Sequence, residues 1–226
     1  MNHLEDELTQ LRKELSAMGE LVTKQLVKTR EALLGFDKDL AHEIVATEKR
    51  VNARELEIDR DCENILALYN PVAMDLRLVL TVLKINNNLE RNGDISEGIA
   101  KFIINAEHPF DDELVKKTEI LQMYDETNAI LEDVLIAFEN DDSKLARTIF
   151  RRDEAVDVIN NNAHHVVTKY IKDHPDRLEE ALYILSMIRK LERVGDHCKN
   201  IAEEIIFNVE AKVVKHKSTK KKSGGQ

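Results

Sequence analysis

Leu89-Glu90-Arg91-Asn92-Gly93-Asp94 occurs again as Leu191-Glu192-Arg193-Val194-Gly195-Asp196, 102 residues later. The match continues: Ile99-Ala100 and Ile103-Ile104 are answered by Ile201-Ala202 and Ile205-Ile206, so that nine of the sixteen positions from Leu89 to Ile104 are identical to their partners. Helix packing would repeat hydrophobicity. It would not repeat a Glu, an Arg, a Gly and an Asp in fixed order. The chain therefore reads as a duplicated unit whose duplicated polar residues are the place to look for function.

Around these two phrases the sequence divides into helices. Charged residues make up 34% of the 226, aromatics 4%, and there are seven glycines, three prolines and no Trp, a composition suited to long helices rather than sheets. Leu4, Leu8, Leu11, Leu15, Met18 and Val22 carry helical spacing from the start. Breaks fall at Asn70-Pro71, Pro109 and His174-Pro175, and at Phe36-Asp37-Lys38-Asp39, which Phe138-Glu139-Asn140-Asp141 echoes 102 residues on. Asn70 and His174 read as N-caps with proline at the first helical position. Six helices follow, at 3–35, 39–69, 72–107, 111–139, 142–173 and 175–211. The third carries two apolar stripes, Leu76, Leu80, Leu83 and Leu78, Val82, Ile85, Leu89, so it must touch more than one neighbour. Short turns make successive helices antiparallel. The expected fold is all-α, two pseudo-symmetric antiparallel three-helix bundles at 1–108 and 109–211, with a basic disordered tail at 212–226.

The net charge is −10, but the tail holds six lysines and no acid, leaving 27 basic against 43 acidic residues, a balance of −16, on the rest. Such a body repels nucleic acid and attracts cations. Cys62 and Cys198 form no CxxC spacing and read as reduced thiols of a cytoplasmic protein. No signal peptide opens the chain, and the apolar stretch from Leu78 to Ile85 is too short to span a bilayer.

Glu90 and Asp94, like Glu192 and Asp196, stand four apart and share a helix face. The preceding helix of each repeat supplies a second pair, Glu48 with Asn52 and Asp153 with Asp157. In an antiparallel hairpin, residues equidistant from the turn lie level. Glu48 with Asp94, and Asn52 with Glu90, are both centred on Pro71; Asp153 with Asp196, and Asp157 with Glu192, are both centred on the His174–Pro175 junction. Each set of four oxygen-bearing side chains should therefore lie level on adjacent helices, about 30 Å from its turn at about 1.5 Å per residue. Grouped carboxylates repel unless they meet cations, so a divalent ion (Mg, Mn, Fe or Zn) is the natural partner, and ion pairs with Arg50, Arg91, Arg152 and Arg193 are the competing use of the same acids. Gly93 and Gly195 sit mid-helix at a cost of about 1 kcal/mol each, which implies a packing or access reason. No Gly-rich phosphate loop, GxSxG elbow or ExxH motif is present, and no nucleophile stands beside an evident base. The histidines, His164-His165 and His197 included, read as surface or packing residues, with His197 the one nearest a motif acid.

The doubled LERxGD…IA phrase, the stretch Pro71-Val72-Ala73-Met74-Asp75-Leu76-Arg77 and the acidic pair upstream in each repeat resemble the PhoU family of bacterial phosphate-signalling regulators, over about residues 5 to 210. The resemblance implies two three-helix bundles that bind divalent or multinuclear metal ions through paired E(D)xxxD motifs. Here these are Glu48, Glu90, Asp94, Asp153, Asp157, Glu192 and Asp196, with Asn52 departing from the carboxylate form. It further implies a cytoplasmic, often dimeric, membrane-peripheral protein that is not an enzyme. Such a protein represses the phosphate-starvation response by linking the phosphate-specific ABC transporter ATPase to a sensor histidine kinase. Asp75 and Arg77 match the family's DLR stretch and are candidates for partner contact. The rival readings are a metal-handling or oxidase-type helical protein using the carboxylate clusters, and an accessory subunit of another phosphate transporter.

Overall fold

The computed structural model describes residues 3–214; Met1, Asn2 and the expected basic tail from residue 215 onward lie outside the described residues. The helices are α1 (His3–Gly35), α2 (Lys38–Tyr69), α3 (Ala73–Asn105), α4 (Asp112–Lys117), α5 (Ile120–Glu139), α6 (Ser143–Asp173) and α7 (Leu178–Glu210), with a 3-10 turn at Pro175–Arg177 ahead of α7. All the regular structure among the described residues is helical, as expected.

Side-chain caps set the starts. The Asp37 carboxylate accepts from the Leu40 amide, Asp111 from Glu113 and Leu114, and Asp142 from Lys144 and Leu145. Each satisfies amides that the first helical turn leaves without partners. Aligning the caps Asp37 and Asp142 places Glu48 against Asp153 and Asn52 against Asp157, so the two repeats agree in structure as well as in sequence.

Two sequence readings are corrected. Asn70-Pro71 does not start a helix: Asn70 closes α2 in the left-handed conformation (φ 45°), and α3 begins at Ala73 with Val72 as a cap that lends no side-chain bond. The expected helix at 111–139 is two, α4 and α5. Glu119 adopts φ 56° between them, and the buried Thr118 hydroxyl donates to the Leu114 carbonyl, closing the first piece. Periodicity could not reveal this break, because the apolar spacing resumes in Ile120, Met123, Tyr124, Ile130 and Leu131.

Within the first bundle α1, α2 and α3 pack on one another; within the second, α5, α6 and α7 do the same. The bundles join along two seams, α3 on α7 and α1 on α5. On the first seam Lys84 meets Glu204 (2.9 Å), Asn88 meets Asn200 (3.3 Å), and Phe102 stacks on Tyr183 at 5.2 Å. On the second, Arg12 meets Asp141, Gly19 meets Leu135, and Arg30 meets Asp125. As one residue number rises its partner's falls, so both seams are antiparallel and a pseudo-twofold axis runs between the bundles. One apolar core spans both, from Leu11, Met18 and Ile44 through Leu89 and Ile99 to Ile184, Leu191 and Ile201. No helix among the described residues is long and apolar enough to cross a membrane.

Glu119→Gly tests the break. Glycine relieves left-handed backbone strain but weakens a helix interior by about 1 kcal/mol. Urea unfolding is expected to show the variant unchanged or up to about 1 kcal/mol more stable; a loss of that size would mean that residues 111–139 form one helix.

Candidate metal centre

Each bundle buries one carboxylate of its acidic set beneath the mid-helix glycine of the other motif helix. Glu48, 4% exposed on α2, lies where a Cβ on Gly93 would come within 3.0 Å of its Oε2 and of Val51 Cγ1. Asp153, 2% exposed on α6, presses closer still: a Cβ on Gly195 would collide with Asp153 Oδ1. These contacts are the reason for both glycines. They also place α2 on α3 and α6 on α7 in the register that the turn-centred pairing requires.

The remaining candidates lie around these two. Glu90, Asp157, Glu192 and Asp196 are half-buried, and Asp94 and Asn52 are exposed. In the second bundle the four acids act on one another. Burial first, then Asp196 and Asp157, raise the Glu192 carboxyl; burial also raises Asp153, opposed by Lys199 and reinforced by Asp157 and Asp196. In the first bundle burial raises Glu48 to about 7, against a hydrogen bond from Gln25 and with Asp94, Glu97 and Glu90 adding to the rise. Burial and Asp94 likewise raise Glu90. The structure thus gathers Glu48, Glu90 and Asp94 into one field, and Asp153, Asp157, Glu192 and Asp196 into another. No hydrogen bond or ion pair among the described residues ties Asn52 to its set.

The charge that answers these acids is not arginine. Arg152 pairs with Asp133 and Glu126 instead, and among the described residues Arg50, Arg91 and Arg193 form no ion pair with the candidate acids. Lys199, one turn beyond Asp196, reaches back with its Nζ 2.5 Å from Asp153 Oδ2 and 2.6 Å from Asp196 Oδ1. Burial works against its charge, yet Asp153 and Asp196 hold it well above the ordinary lysine value. In the first bundle Gln25 takes the corresponding role without charge: its Nε2 donates to Glu48 Oε2 (3.3 Å) and to the Ile44 carbonyl (3.4 Å). Sequence reasoning missed both residues. Gln25 had a signal, a polar residue at helical spacing from the apolar Val22 and next to Leu26; Lys199 had only its spacing from Asp196.

His197 joins the two copies of the motif. Burial first, then Arg193 and Arg91, lower its imidazole to about 4, so it is neutral, and its Nδ1–H donates to the Asn92 side-chain oxygen at 2.7 Å. Asn92 stands inside the first LERxGD and His197 directly after the second. This hydrogen bond crosses the α3–α7 seam where the two glycines lie.

As a place for a metal, the donor chemistry fits a hard cation. Every candidate is an oxygen, and Glu48 Oε1 and Asp153 Oδ1 are buried without hydrogen-bond partners. Burial raises the Cys62 and Cys198 thiols, to about 12 for Cys62, which leaves them poor ligands. In this conformation no three His, Cys, Asp or Glu side chains among the described residues converge closely enough to hold an ion. Asp153 and Asp196 converge on the ammonium of Lys199 instead.

Two measurements check this geometry. Gly195→Ala gains about 1 kcal/mol of helix propensity but drives a methyl into Asp153; a net loss of about 1–2 kcal/mol in urea unfolding is expected. With Asp153→Ala present the collision is gone, and Gly195→Ala should then stabilise. The sign reversal is the readout, and the same sign in both backgrounds would show that Asp153 does not lie under Gly195. Glu48 binds its proton more tightly folded, near 7, than an ordinary glutamate does, at 4.5. Lowering the pH from about 7 to about 4.5 therefore raises folding stability, by up to about 3 kcal/mol at 1.36 kcal/mol per pH unit. Glu48→Gln should remove that part of the pH dependence from unfolding of the metal-free chain; identical slopes in both proteins would contradict the assignment.

The PhoU domain family matches residues 15–103 and 120–205, once in each bundle. The chain is 33% identical over 206 residues to phosphate-specific transport system accessory protein PhoU homolog 1 of Thermotoga maritima, covering 91% of this chain and 88% of that one. It is 32% identical over 210 residues to the accessory protein PhoU of Escherichia coli K12, covering 93% and 86%. The crystal structure of PhoU from Pseudomonas aeruginosa superposes with a TM-score of 0.83 at 31% identity, over 92% of this chain and 99% of that one. The phosphate transport system regulatory protein PhoU from Streptococcus pneumoniae superposes at 0.81 and 28% identity, over 93% and 99%. Two family matches in one chain, relatives aligned over about nine-tenths of it and the same helical architecture have one reading: this chain belongs to the PhoU family.

Proposed function

We propose that this chain is a cytoplasmic, non-enzymatic regulator of phosphate uptake, acting on a phosphate-specific ABC transporter. It restrains uptake and represses the starvation response when phosphate is plentiful, by linking the transporter's ATPase to a sensor histidine kinase. The observation that carries this reading is the full-length family match to proteins named as accessory to phosphate-specific transport, together with the paired acidic sets in both bundles. The two bundles, 1–108 and 109–211, act as two halves of one adaptor that works as a homodimer at the inner membrane face. The acidic body disfavours nucleic acid as a partner. Asp75 and Arg77, half-buried in the first turns of α3, are the candidate partner contact.

In the second bundle Asp153, Asp157, Glu192 and Asp196 would hold a divalent cation, and in the first Glu48, Glu90 and Asp94, with the Asn52 amide as a weaker neutral ligand. A bound dication would supply positive charge that offsets the carboxylates and attracts an anionic partner group. Lys199 keeps that place in the second set by neutralising Asp153 and Asp196, and its four-carbon stem lets the ammonium swing out to solvent. Having no such lysine, the first set leaves Glu48 to a neutral amide, and differs from the second in charge and affinity.

The test is genetic. Deleting the gene should raise alkaline phosphatase activity in phosphate-rich medium, and restoring this sequence should silence it. A variant with Asp153, Asp157, Glu192 and Asp196 all changed to Ala, expressed and folded, should leave the reporter on. Unchanged activity on deletion would contradict the regulator role; silencing by the four-Ala variant would remove the second acidic set from the relay.

A further inference from the structure

A cleft of about 370 Å³ opens between α1 and α2 of the first bundle, on the far side of Gln25 from the acidic set. Four cations line it, Lys24 and Lys28 on α1 and Arg50 and Arg54 on α2, with Glu20 and Glu43 among them. Each like-charged pair is four residues apart on its helix, an arrangement that costs stability in the absence of an anion. Lys28 is held by Glu43 at 2.6 Å and Arg54 by Glu14 at 2.9 Å. Lys24 meets Glu20 only at 3.6 Å with both side chains largely exposed, a contact worth little. Arg50 has no ion pair or hydrogen bond among the described residues. The contact of Gln25 with Glu48 fixes the register of α1 on α2 and sets Lys24 about level with Arg50 across the cleft. The wall between them is Gln25, 2% exposed, whose Oε1 is buried with no donor to accept from.

Duplication does not account for these charges. The shift of 102 that aligns Phe36 with Phe138 puts Glu126 in place of Lys24 and Ile130 in place of Lys28. Aligning the caps Asp37 and Asp142 puts Ala155 in place of Arg50 and Ile159 in place of Arg54. The second bundle folds in the same way with none of the four cations, so the fold does not need them.

We propose that this cleft binds a small phosphate ester carrying at least one hydroxyl, of the sugar-phosphate class. Arg50 offers a planar fork and Lys24 a point charge to the phosphoryl oxygens. Gln25 Oε1, which has no donor in the structure, accepts from the ligand's hydroxyl once its amide turns toward the cleft, and sulfate offers no such donor. The volume lies within the range of small-molecule sites and exceeds what a lone oxyanion fills. Because Gln25 holds Glu48 with its other end, the ligand and the first acidic set share one side chain.

The experiment is calorimetric titration of the full chain with ribose 5-phosphate, AMP and sulfate. Ribose 5-phosphate should saturate at one site and bind more tightly than sulfate. Tighter binding of AMP than of ribose 5-phosphate would identify a nucleotide ligand, and equal binding a bare sugar phosphate. Arg50→Ala, at an exposed position that leaves folding intact, should weaken binding at least about tenfold, the loss of one charge-assisted hydrogen bond. Gln25→Leu should reduce ribose 5-phosphate to the affinity of sulfate, while Lys220→Ala, Lys221→Ala and Lys222→Ala combined should change nothing. Absence of saturable binding, affinity unchanged by Arg50→Ala, or loss of binding with the three lysines would each overturn the proposal.

Discussion

A carboxylate held almost without water beneath a side-chain-less helix turn is the constraint on which the rest of this molecule depends. Glu48 under Gly93 and Asp153 under Gly195 bring the second and third helices of each bundle close enough to touch backbone to side chain. A buried carboxylate is tolerated only if it is protonated, hydrogen-bonded or paired, and the two bundles meet that requirement differently. In the first, Glu48 keeps a proton up to about pH 7 and takes one hydrogen bond from Gln25. In the second, Asp153 shares the Lys199 ammonium with Asp196. Duplication supplied one scaffold, and two electrostatic solutions have been installed in it.

The antiparallel seam between α3 and α7 turns two such sites into one system. Gly93 and Gly195 lie level across the pseudo-twofold axis, and the Asn92–His197 hydrogen bond joins the motif copies there. His197 stays neutral because it is buried and flanked by Arg193 and Arg91, so the bond keeps its form through the physiological pH range. A change in the charge state of one acidic set acts on a helix whose opposite face belongs to the other bundle. This is a physical route by which the two bundles can respond together.

Much of this was legible in the chain itself. The repeated Glu, Arg, Gly and Asp marked the two acidic sets, and the turn-centred pairing of Glu48 with Asp94 and of Asp153 with Asp196 anticipated the register, because an antiparallel hairpin leaves little freedom once its turn is known. Other features were hidden for identifiable reasons. The break at Glu119 interrupts the backbone but not the apolar spacing. Asn70-Pro71 carries the residues of a helix start, yet Asn70 serves as the end of α2, because asparagine tolerates the left-handed conformation as readily as it caps. Lys199 and Gln25 come to their acids through tertiary contact. Arg152, nearer the acids in sequence, is drawn away by Asp133 and Glu126 on the neighbouring helix.

The central claim is that the second acidic set is a cation site whose place Lys199 keeps. Calorimetric titration of the purified chain with Mn²⁺, alongside Lys199→Met and Asp153→Ala, tests it most directly. Saturable binding is expected, tightened in Lys199→Met because no ammonium has to leave, and lost in Asp153→Ala at the second site. Absence of saturable binding in both the unaltered chain and Lys199→Met, or binding indifferent to Asp153→Ala, would contradict it.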